Sequence, residues 1–295
     1  MFNYPMRSLL FVPGHNQRLL DSAIKSKADV LLLDIEDSVQ PRSNKQIARD
    51  LLASMLKNGE FDKKIVFPRV NDRESGELFK DLYQLTVPQI SGFMFPKANS
   101  GDDIYFYDKL LETIEYDKKY PKGTFKMIAL IETPSAVLNV DDICKRSERL
   151  VAIAFGCEDY ITDLEGIHDN EQESLLVPRS LIAIGARAND VIPIDTVHIN
   201  IHDLDELEKS ISVAKNLGFE GMLCLHPKEL DLVHKLYTPT KREYDDAKSI
   251  VSAAKDSFAK GKGVSIVNEQ LIGPPIIKNA KKVIKKYEML INDQL

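Results

Sequence analysis

The sequence is short of cysteine and of long apolar runs. Its three cysteines, Cys144, Cys157 and Cys224, are an odd number without the spacing of a metal site. Cys157 and Cys224 lie in apolar segments, where a thiol usually acts as a small hydrophobic side chain. The N-terminus shows no charged-then-apolar signal pattern, and no apolar run approaches the length that spans a bilayer. We therefore expect a cytoplasmic protein that does not act at a membrane.

The sequence also has no excess of positive charge. The formal net charge is -6 and the sequence pI is about 5.6, which argues against a large nucleic-acid interface. A lysine-rich patch near the C-terminus could bind a phosphate or a coenzyme A tail, but a solvated helix face explains it more simply. No glycine-rich phosphate loop and no Ser-His-Asp or Cys-His order is found. The patch consists of Lys278, Lys281, Lys282, Lys285 and Lys286.

What the 295-residue chain does contain is eight short apolar runs that alternate with helical segments. Such runs, bounded by turn residues, are typical of strands buried on both faces, and the alternation is typical of a parallel sheet. Eight units at this length predict a closed (β/α)8 TIM barrel of the α/β class. The predicted strands are residues 8–12, 28–34, 64–70, 91–97, 126–131, 149–155, 192–198 and 221–226.

The chain continues beyond the last predicted strand. We place the barrel in residues 1–238 and a helical extension of the same domain in residues 239–295. The extension has two predicted helices, at about 241–260 and about 275–288, joined by a flexible connector at 260–263. These helices must pack on their own barrel or on a neighbouring subunit, and we expect the last one to dock on a neighbour.

Two of the predicted strands end abruptly in carboxylates. Glu132 follows the run at 126–131, and Glu158 and Asp159 follow the run at 149–155. Neighbouring parallel strands would bring these side chains to one rim, where bare carboxylates repel unless a cation or a shared proton holds them. An oxygen-only pair with room for water and substrate suits Mg²⁺ better than zinc. Glu132 and Asp159 are the predicted metal ligands.

Other strand ends supply further candidates. Glu36 and Asp37 follow the second strand and could act on the metal through its bound waters. Arg69 offers a planar fork to a substrate carboxylate, and Asn71 adds a hydrogen bond. Lys97 ends the fourth strand and is predicted to contact substrate.

A histidine also lies on the predicted rim. His226, at the end of the eighth strand, is either a catalytic base or a histidine bonded to backbone. His198 and His202 are expected at the surface or in loops.

These residue types point to a reaction class. A metal that binds the carbonyl of a 2-oxo acid or a thioester stabilises the enolate formed by carbon–carbon cleavage or proton removal. The prediction is therefore lyase or aldolase chemistry, with Arg69, Glu132 and Asp159 as the catalytic residues.

Several segments, in order along nearly the whole chain, resemble the citrate lyase beta subunit-like proteins of the HpcH/HpaI aldolase superfamily. The resemblance implies a Mg²⁺-dependent barrel that makes or breaks the bond next to an acyl thioester or a pyruvate-like enolate. The segments are Arg7–Gly14 (RSLLFVPG), Leu33–Val39 (LDIEDSV), Phe67–Asn71 (FPRVN), Phe95–Lys97 (FPK), Ile131–Pro134 (IETP), Phe155–Asp159 (FGCED), Leu217–Gly221 (LGFEG), Leu225–Lys228 (LHPK) and Thr238–Pro239.

The resemblance also implies roles for single residues. Arg69 and Glu132 resemble the substrate contacts, and Glu132 with Asp159 the magnesium ligands; Glu158 is the adjacent alternative. Arg7 and the Pro13–Gly14 turn would lie near the acyl carrier or coenzyme A. Members of the family are usually trimers or hexamers, in which the C-terminal segment reaches a neighbouring active site.

The chain departs from the family pattern at two positions. Gly273 stands where many members carry an aspartate that acts as an acid or base across the subunit interface, and glycine cannot transfer a proton. Glu269 or Asn268 is a possible substitute. Asn200 stands where the family tends to show an aspartate after the seventh strand.

Three functions remain open from the sequence. The first is a Mg²⁺-dependent lyase acting on a 3-hydroxy-acyl thioester such as a citryl or malyl derivative. The second is a metal-dependent aldolase acting on a free 2-oxo acid. The third is a catalytically weakened homologue that binds acyl-CoA or a partner subunit, which the glycine at position 273 favours.

Overall fold

The computed structural model describes residues 4–167, 173–259, 265–267 and 270–292. Within them, the first eight strands are β1 (Ser8–Pro13), β2 (Val30–Asp34), β3 (Ile65–Arg69), β4 (Gly92–Phe95), β5 (Lys126–Ile131), β6 (Leu150–Phe155), β7 (Ile192–Asp195) and β8 (Gly221–Cys224). All eight are parallel and pair in the order of the sequence, and β8 pairs with β1 to close a barrel. The predicted (β/α)8 TIM barrel is confirmed.

The barrel is filled by apolar side chains. One cluster of buried residues takes at least one member from every strand, as expected for a barrel whose interior is a packed core. Because both faces of each strand are buried, the strand sequences are continuous apolar runs, which is why they could be recognised. The cluster members on the strands are Leu9, Val30, Leu32, Phe67, Met94, Ile128, Leu130, Ala152, Ala154, Ile194 and Leu223.

Helices connect the strands, and two of them begin or end as the sequence predicts. The Asn16 side chain caps α1 by accepting the N–H of Leu19. Asp203 caps α9, which ends at Gly218 with a φ of 104°. The helices in this part of the chain are α1 (Gln17–Ile24), α2 (Asn44–Lys57), α3 (Leu78–Leu85), α4 (Gly101–Asp117), α5 (Pro134–Leu138), α6 (Val140–Lys145), α7 (Cys157–Asp163), α8 (Glu173–Ala188), α9 (Leu204–Leu217) and α10 (Leu230–Tyr237).

Three helices were not predicted: α4, α7 and α10. The 17-residue α4 begins with a capping box between Ser100 and Asp103, a local signal that was available in the sequence. The seven-residue α7 begins directly after the glycine that follows β6. Its first turn carries Glu158 and Asp159, so these acids lie on a helix and not on a strand end.

The residues from 235 onward belong to a second compact unit. It contains α11 (Lys241–Ala259), the antiparallel pair β9 (Ser265–Val267) and β10 (Gln270–Ile272), and α12 (Pro274–Asn292). The two helices were predicted, whereas the strand pair was not. It stays a prediction that residues 239–295 share one domain with the barrel. It also stays a prediction that the last helix docks on a neighbouring subunit. The predicted connector at 260–263 lies outside the described residues.

Candidate active site at the carboxyl ends of the strands

The polar side chains of the candidate site follow four of the barrel strands. Asp34 is the last residue of β2 and Arg69 is the last residue of β3. Glu132 comes directly after β5, and Asp159 lies in α7, which follows β6. Because the strands are parallel, these positions face the same rim of the barrel, where active sites of this fold are found.

Arg69 is bound by the acidic segment that follows β2. Its Nε lies 2.7 Å from Oδ1 of Asp34 and its Nη2 lies 2.8 Å from Oδ2 of the same residue. Its Nη1 lies 2.9 Å from Oε2 of Glu36 and 3.2 Å from Oδ2 of Asp37. The guanidinium carbon lies 4.7 Å from the centre of the Phe11 ring, which adds a cation–π contact.

Asp34 is a site residue to which the sequence reasoning gave no role. The register of β2 and β3 places it directly beside Arg69, so the two side chains meet in a bidentate ion pair. Burial alone would raise the pKa of Asp34, but Arg69 beside it holds that pKa below its usual value. An acid and an arginine ending two neighbouring strands were the available signal.

Glu132 is buried, with 2% of its surface exposed. Its Oε1 accepts the backbone N–H of Lys97 at 2.6 Å. Lys97 has a φ of 52°, a left-handed conformation that is uncommon for a residue with a side chain and that is found often at functional sites. Burial raises the pKa of Glu132 to about 7 against the effect of the Lys97 hydrogen bond, and the charge of Asp159 adds to the rise.

Gly156 leaves space for the Glu132 side chain. A Cβ atom at position 156 would lie 2.8 Å from the Cβ of Glu132 and 3.1 Å from its Oε2. The φ of Gly156 is -98°, which any residue can adopt, so glycine is required here for space and not for backbone freedom. The glycine of the Phe155–Asp159 segment therefore has a steric role at the site.

Asp159 is exposed on the first turn of α7. Partial burial, followed by the nearby charge of Asp37, raises the pKa of Asp159. Asp159 also raises the pKa of Glu132, which places the two carboxylates within electrostatic reach of each other. The neighbouring Glu158 lies beside the Cys157 thiol, 3.3 Å from its Sγ. The choice of Asp159 over Glu158 as a metal ligand stays a prediction.

Glu36 and Asp37 join the same rim but differ in burial. The Glu36 side chain is 8% exposed and that of Asp37 is 68% exposed. Burial raises the pKa of Glu36 to about 8. The charge of Arg69 lowers this pKa, but the negative charges of Asp37, Glu132 and Asp34 oppose that effect. The structure thus brings Glu36 and Asp37, the acids predicted to act through metal-bound waters, together with Arg69.

The ammonium group of Lys97 points to a further acid on the rim. Its Nζ lies 3.3 Å from Oδ2 of Asp72, in the segment after β3. Partial burial lowers the pKa of Lys97, but the carboxylates of Asp72 and Glu36 outweigh that effect and raise it overall. Lys97 therefore stays a cation, as its predicted contact with an anionic substrate requires.

Two residues that were predicted to contact the substrate, Arg7 and Asn71, bind carboxylates of the protein itself. Arg7 precedes β1, at the opposite end of the barrel, and forms a bidentate ion pair with Asp29 at 2.8 and 2.7 Å. Asn71 is buried and donates both its backbone N–H and its side-chain amide to Oδ2 of Asp81 in α3. The structure does not bring Arg7 together with the carboxyl-end residues, and the substrate contacts of Arg7 and Asn71 stay predictions.

The three histidines considered in the sequence differ in burial and in their contacts. His226 accepts the backbone N–H of Lys228 through Nδ1, so its contact in the structure is with backbone. His202 is exposed, as expected. His198 lies in the loop between β7 and α9, as one of the two expected placements has it, but it is buried at 7% exposure and its Nε2 lies 3.0 Å from the carbonyl oxygen of Asp203.

The donor atoms of this rim fit a hard divalent cation. In the part of the chain that the structure describes, no group of three or more His, Cys, Asp or Glu side chains is arranged to hold a metal. Glu132 and Asp159 stay the predicted direct ligands, and a site with two protein ligands would leave the remaining positions to water and substrate oxygens, as Mg²⁺ prefers. Neither carboxylate forms an ion pair among the described residues, and both pKa values are raised, so a cation would relieve their repulsion.

The position of the missing family aspartate lies in the second unit. Gly273 precedes α12, and its carbonyl oxygen accepts the backbone N–H groups of Ile276 and Ile277. The suggested substitutes, Asn268 and Glu269, lie outside the described residues.

A family model, described as HpcH/HpaI aldolase/citrate lyase, matches residues 7–227. This chain belongs to the HpcH/HpaI aldolase/citrate lyase family. It is 32% identical to citrate lyase subunit beta of Haemophilus influenzae, over 98% of this chain and 99% of that protein. It is 25% identical to an L-malyl-CoA/beta-methylmalyl-CoA lyase of Cereibacter sphaeroides, over 97% and 96% of the two chains.

Solved structures of this family show the same fold. One is the citrate lyase beta subunit of Mycobacterium tuberculosis complexed with oxaloacetate and magnesium. It is 26% identical to this chain, with a TM-score of 0.66, and the match covers 80% of this chain and 98% of that one. Among the described residues of our chain, no helix is both long and apolar enough to cross a membrane.

Proposed function

We propose that this chain is a Mg²⁺-dependent carbon–carbon lyase that cleaves or forms a 3-hydroxy-acyl thioester of the citryl or malyl type. The relatives support the reaction class, since one is a citrate lyase subunit and another a malyl-CoA lyase. The observation that carries the proposal is the pair Glu132 and Asp159, two acids with raised pKa values and no ion-pair partner among the described residues, on the rim that Arg69 shares.

Each residue of the rim has a defined task in this proposal. Arg69 binds the carboxylate of the substrate, and the N–H of Lys97 fixes the orientation of Glu132. Glu132 and Asp159 hold the cation. When bound, Mg²⁺ supplies positive charge that stabilises the negative charge developing on the thioester carbonyl oxygen.

The proposal is tested by assaying citryl and malyl thioesters of coenzyme A, with and without added Mg²⁺. We expect one of them to yield an acetyl thioester and an oxo acid in equal amounts, only when Mg²⁺ is present. Cleavage of a free aldol of a 2-oxo acid, with no thioester cleavage, would instead support the aldolase alternative. The carrier, coenzyme A or an acyl carrier protein, is tested by comparing the same acyl group on each.

A second candidate function is favoured by Gly273. If the aspartate at this position is needed for proton transfer, the chain would bind acyl thioesters and cleave them slowly. Introducing Gly273→Asp would then raise the rate of thioester cleavage without changing Mg²⁺ affinity. An unchanged rate in Gly273→Asp would show that the glycine does not limit activity.

Assembly into a homotrimer or homohexamer is part of the proposal, because it follows the family pattern. Light scattering of the purified chain measures its mass in solution. A monomeric mass would contradict this part and would leave the lyase assignment to be decided by the thioester assay.

A further inference from the structure

Arg69 is the predicted carboxylate-binding residue, yet its guanidinium is already bound on both of its hydrogen-bonding edges. Asp34 occupies the edge formed by Nε and Nη2, at 2.7 and 2.8 Å. On the other edge, Nη1 faces Glu36 at 2.9 Å and Asp37 at 3.2 Å. A bidentate carboxylate needs N–H groups on two neighbouring nitrogens. An incoming carboxylate must therefore displace one of these acids.

The three acids differ in how firmly they are held. Asp34 is 2% exposed and also accepts the backbone N–H groups of Glu36 at 2.9 Å and Ser38 at 3.0 Å. Asp34 is therefore a positioning residue that orients Arg69. Asp37 has a mostly exposed side chain and Glu36 contacts Arg69 through one oxygen, so these two are the acids that can leave.

The charge of the rim opposes a second anion. Above the pKa values of about 8 for Glu36 and about 7 for Glu132, the two cations Arg69 and Lys97 face an excess of ionised carboxylates, so a substrate carboxylate that arrives without a metal meets net repulsion. A cation between Glu132 and Asp159 would also attract Glu36 and Asp37, because the charge of Glu132 acts on Glu36 and the charge of Asp37 acts on Asp159. The acids in question are Asp34, Glu36, Asp37, Glu132 and Asp159.

We propose that Glu36 and Asp37 are internal competitors for the carboxylate position on Arg69, so that the chain binds a carboxylate ligand only after a divalent cation has bound. The cation offers the two acids a competing positive charge and releases Nη1 of Arg69 for the ligand. This inference rests on the proposed function, because it takes Glu132 and Asp159 as the cation ligands. By linkage, the carboxylate ligand must raise the affinity for Mg²⁺ by the same factor.

Direct coordination of the ligand to the cation would also make binding depend on Mg²⁺. The two explanations differ when no metal is present. If Glu36 and Asp37 compete for Arg69, removing their charge strengthens metal-free binding of a carboxylate. If coordination is the whole cause, metal-free binding is unaffected by these changes.

The experiment measures oxalate binding by calorimetry at pH 9, above the pKa of about 8 of Glu36, in chelator and then in saturating Mg²⁺. The variants are Glu36→Gln and Asp37→Asn, and the exposed position of Asp37 makes its variant safe for folding. Glu74→Gln is the matched control, since it removes one negative charge at an exposed residue in the segment that follows β3.

We expect each variant to bind oxalate about tenfold or more tightly than the wild-type chain without metal, which is the effect of freeing one charged hydrogen bond. The gain in oxalate affinity caused by Mg²⁺ should shrink by the same factor, while Glu74→Gln changes metal-free affinity by less than about threefold. Equal metal-free affinity in the wild-type chain and both variants would overturn the inference. That result leaves the proposed function standing if the wild-type chain still binds Mg²⁺ and cleaves a thioester.

Discussion

The two ends of the barrel differ in how far their charged side chains are paired. At the amino ends of the strands, Arg149 is buried and forms ion pairs with Glu115 at 2.6 Å and Asp108 at 2.5 Å, and Arg7 pairs with Asp29. At the carboxyl ends, Arg69 is shared by three acids, while Glu132 and Asp159 have raised pKa values. The charges named at the amino end are paired, whereas those at the carboxyl end include an excess of acids that suits a cation. We therefore expect the loss of one charge to lower stability at the amino end and to lower ligand binding at the carboxyl end.

The largest expected effect is at the carboxyl end. Glu132→Gln and Asp159→Asn should each abolish measurable Mg²⁺ binding and lower thioester cleavage by at least about 10³-fold, because the metal contributes several kcal/mol to the transition state. Calorimetric titration with Mg²⁺ measures the binding. Glu158→Gln is the matched control, and a loss of binding in this variant with none in Asp159→Asn would exchange the roles of the two acids.

The next effect is at the amino end. Arg149→Met leaves the buried carboxylate of Glu115 without its cation, so we expect a loss of about 3–5 kcal/mol in the free energy of unfolding. Urea unfolding measures it. Arg146→Met is the control, since Arg146 pairs with the exposed Asp102 and should cost less than about 1 kcal/mol. Similar losses for the two variants would remove the contrast between buried and exposed pairs.

Asp34 combines the two arrangements, because it is a buried ion-pair partner at the end of the barrel that we propose binds the ligand. We expect Asp34→Asn to lower kcat/KM by about 10–100-fold, since Arg69 loses the group that orients it. A merely structural role would lower stability and leave the KM for the carboxylate substrate unchanged. Steady-state kinetics on the folded variant, checked by circular dichroism, separates these outcomes.

The smallest effect concerns pH. The pKa of Glu36 is raised from its ordinary value to about 8 in the folded chain, so the unfolded chain loses this proton first as pH rises. Stability of the metal-free chain should therefore fall as pH rises from about 4.5 to about 8 through this group. Melting temperatures of Glu36→Gln and the wild-type chain, compared across that range, should diverge in favour of the variant at the upper end. Parallel curves would show that Glu36 does not contribute.

The fold was predictable because it depends on a simple pattern. Strands buried on both faces must be apolar throughout, and β5 was predicted with the bounds that the structure has. Helix α4 was missed because its apolar residues are interspersed with exposed aromatic and charged side chains, and only its capping box marked its start. The strand pair β9 and β10 was missed because its strands have three residues each.

The sequence predicted which residues share the carboxyl-end rim better than it predicted their contacts. The carboxyl-end rule selected Arg69, Glu132 and Asp159 without knowledge of any distance. The sequence could not show that Asp34 would occupy one edge of Arg69, because this depends on the register between β2 and β3. Nor could it show that Asn71 is held by Asp81, or that His198 is buried, since these contacts are set by tertiary packing.

The steric role of Gly156 has a consequence for how this family can change by mutation. Because a methyl group at position 156 would occupy the space of the Glu132 side chain, the two positions cannot vary independently. In a library randomised at position 156 alone and selected for Mg²⁺-dependent activity, glycine should be the only residue recovered. In a library randomised at positions 132 and 156 together and selected for folding alone, larger residues at 156 should appear with smaller residues at 132. Positions 132 and 156 are therefore expected to change together during evolution, although they lie 24 positions apart in the sequence.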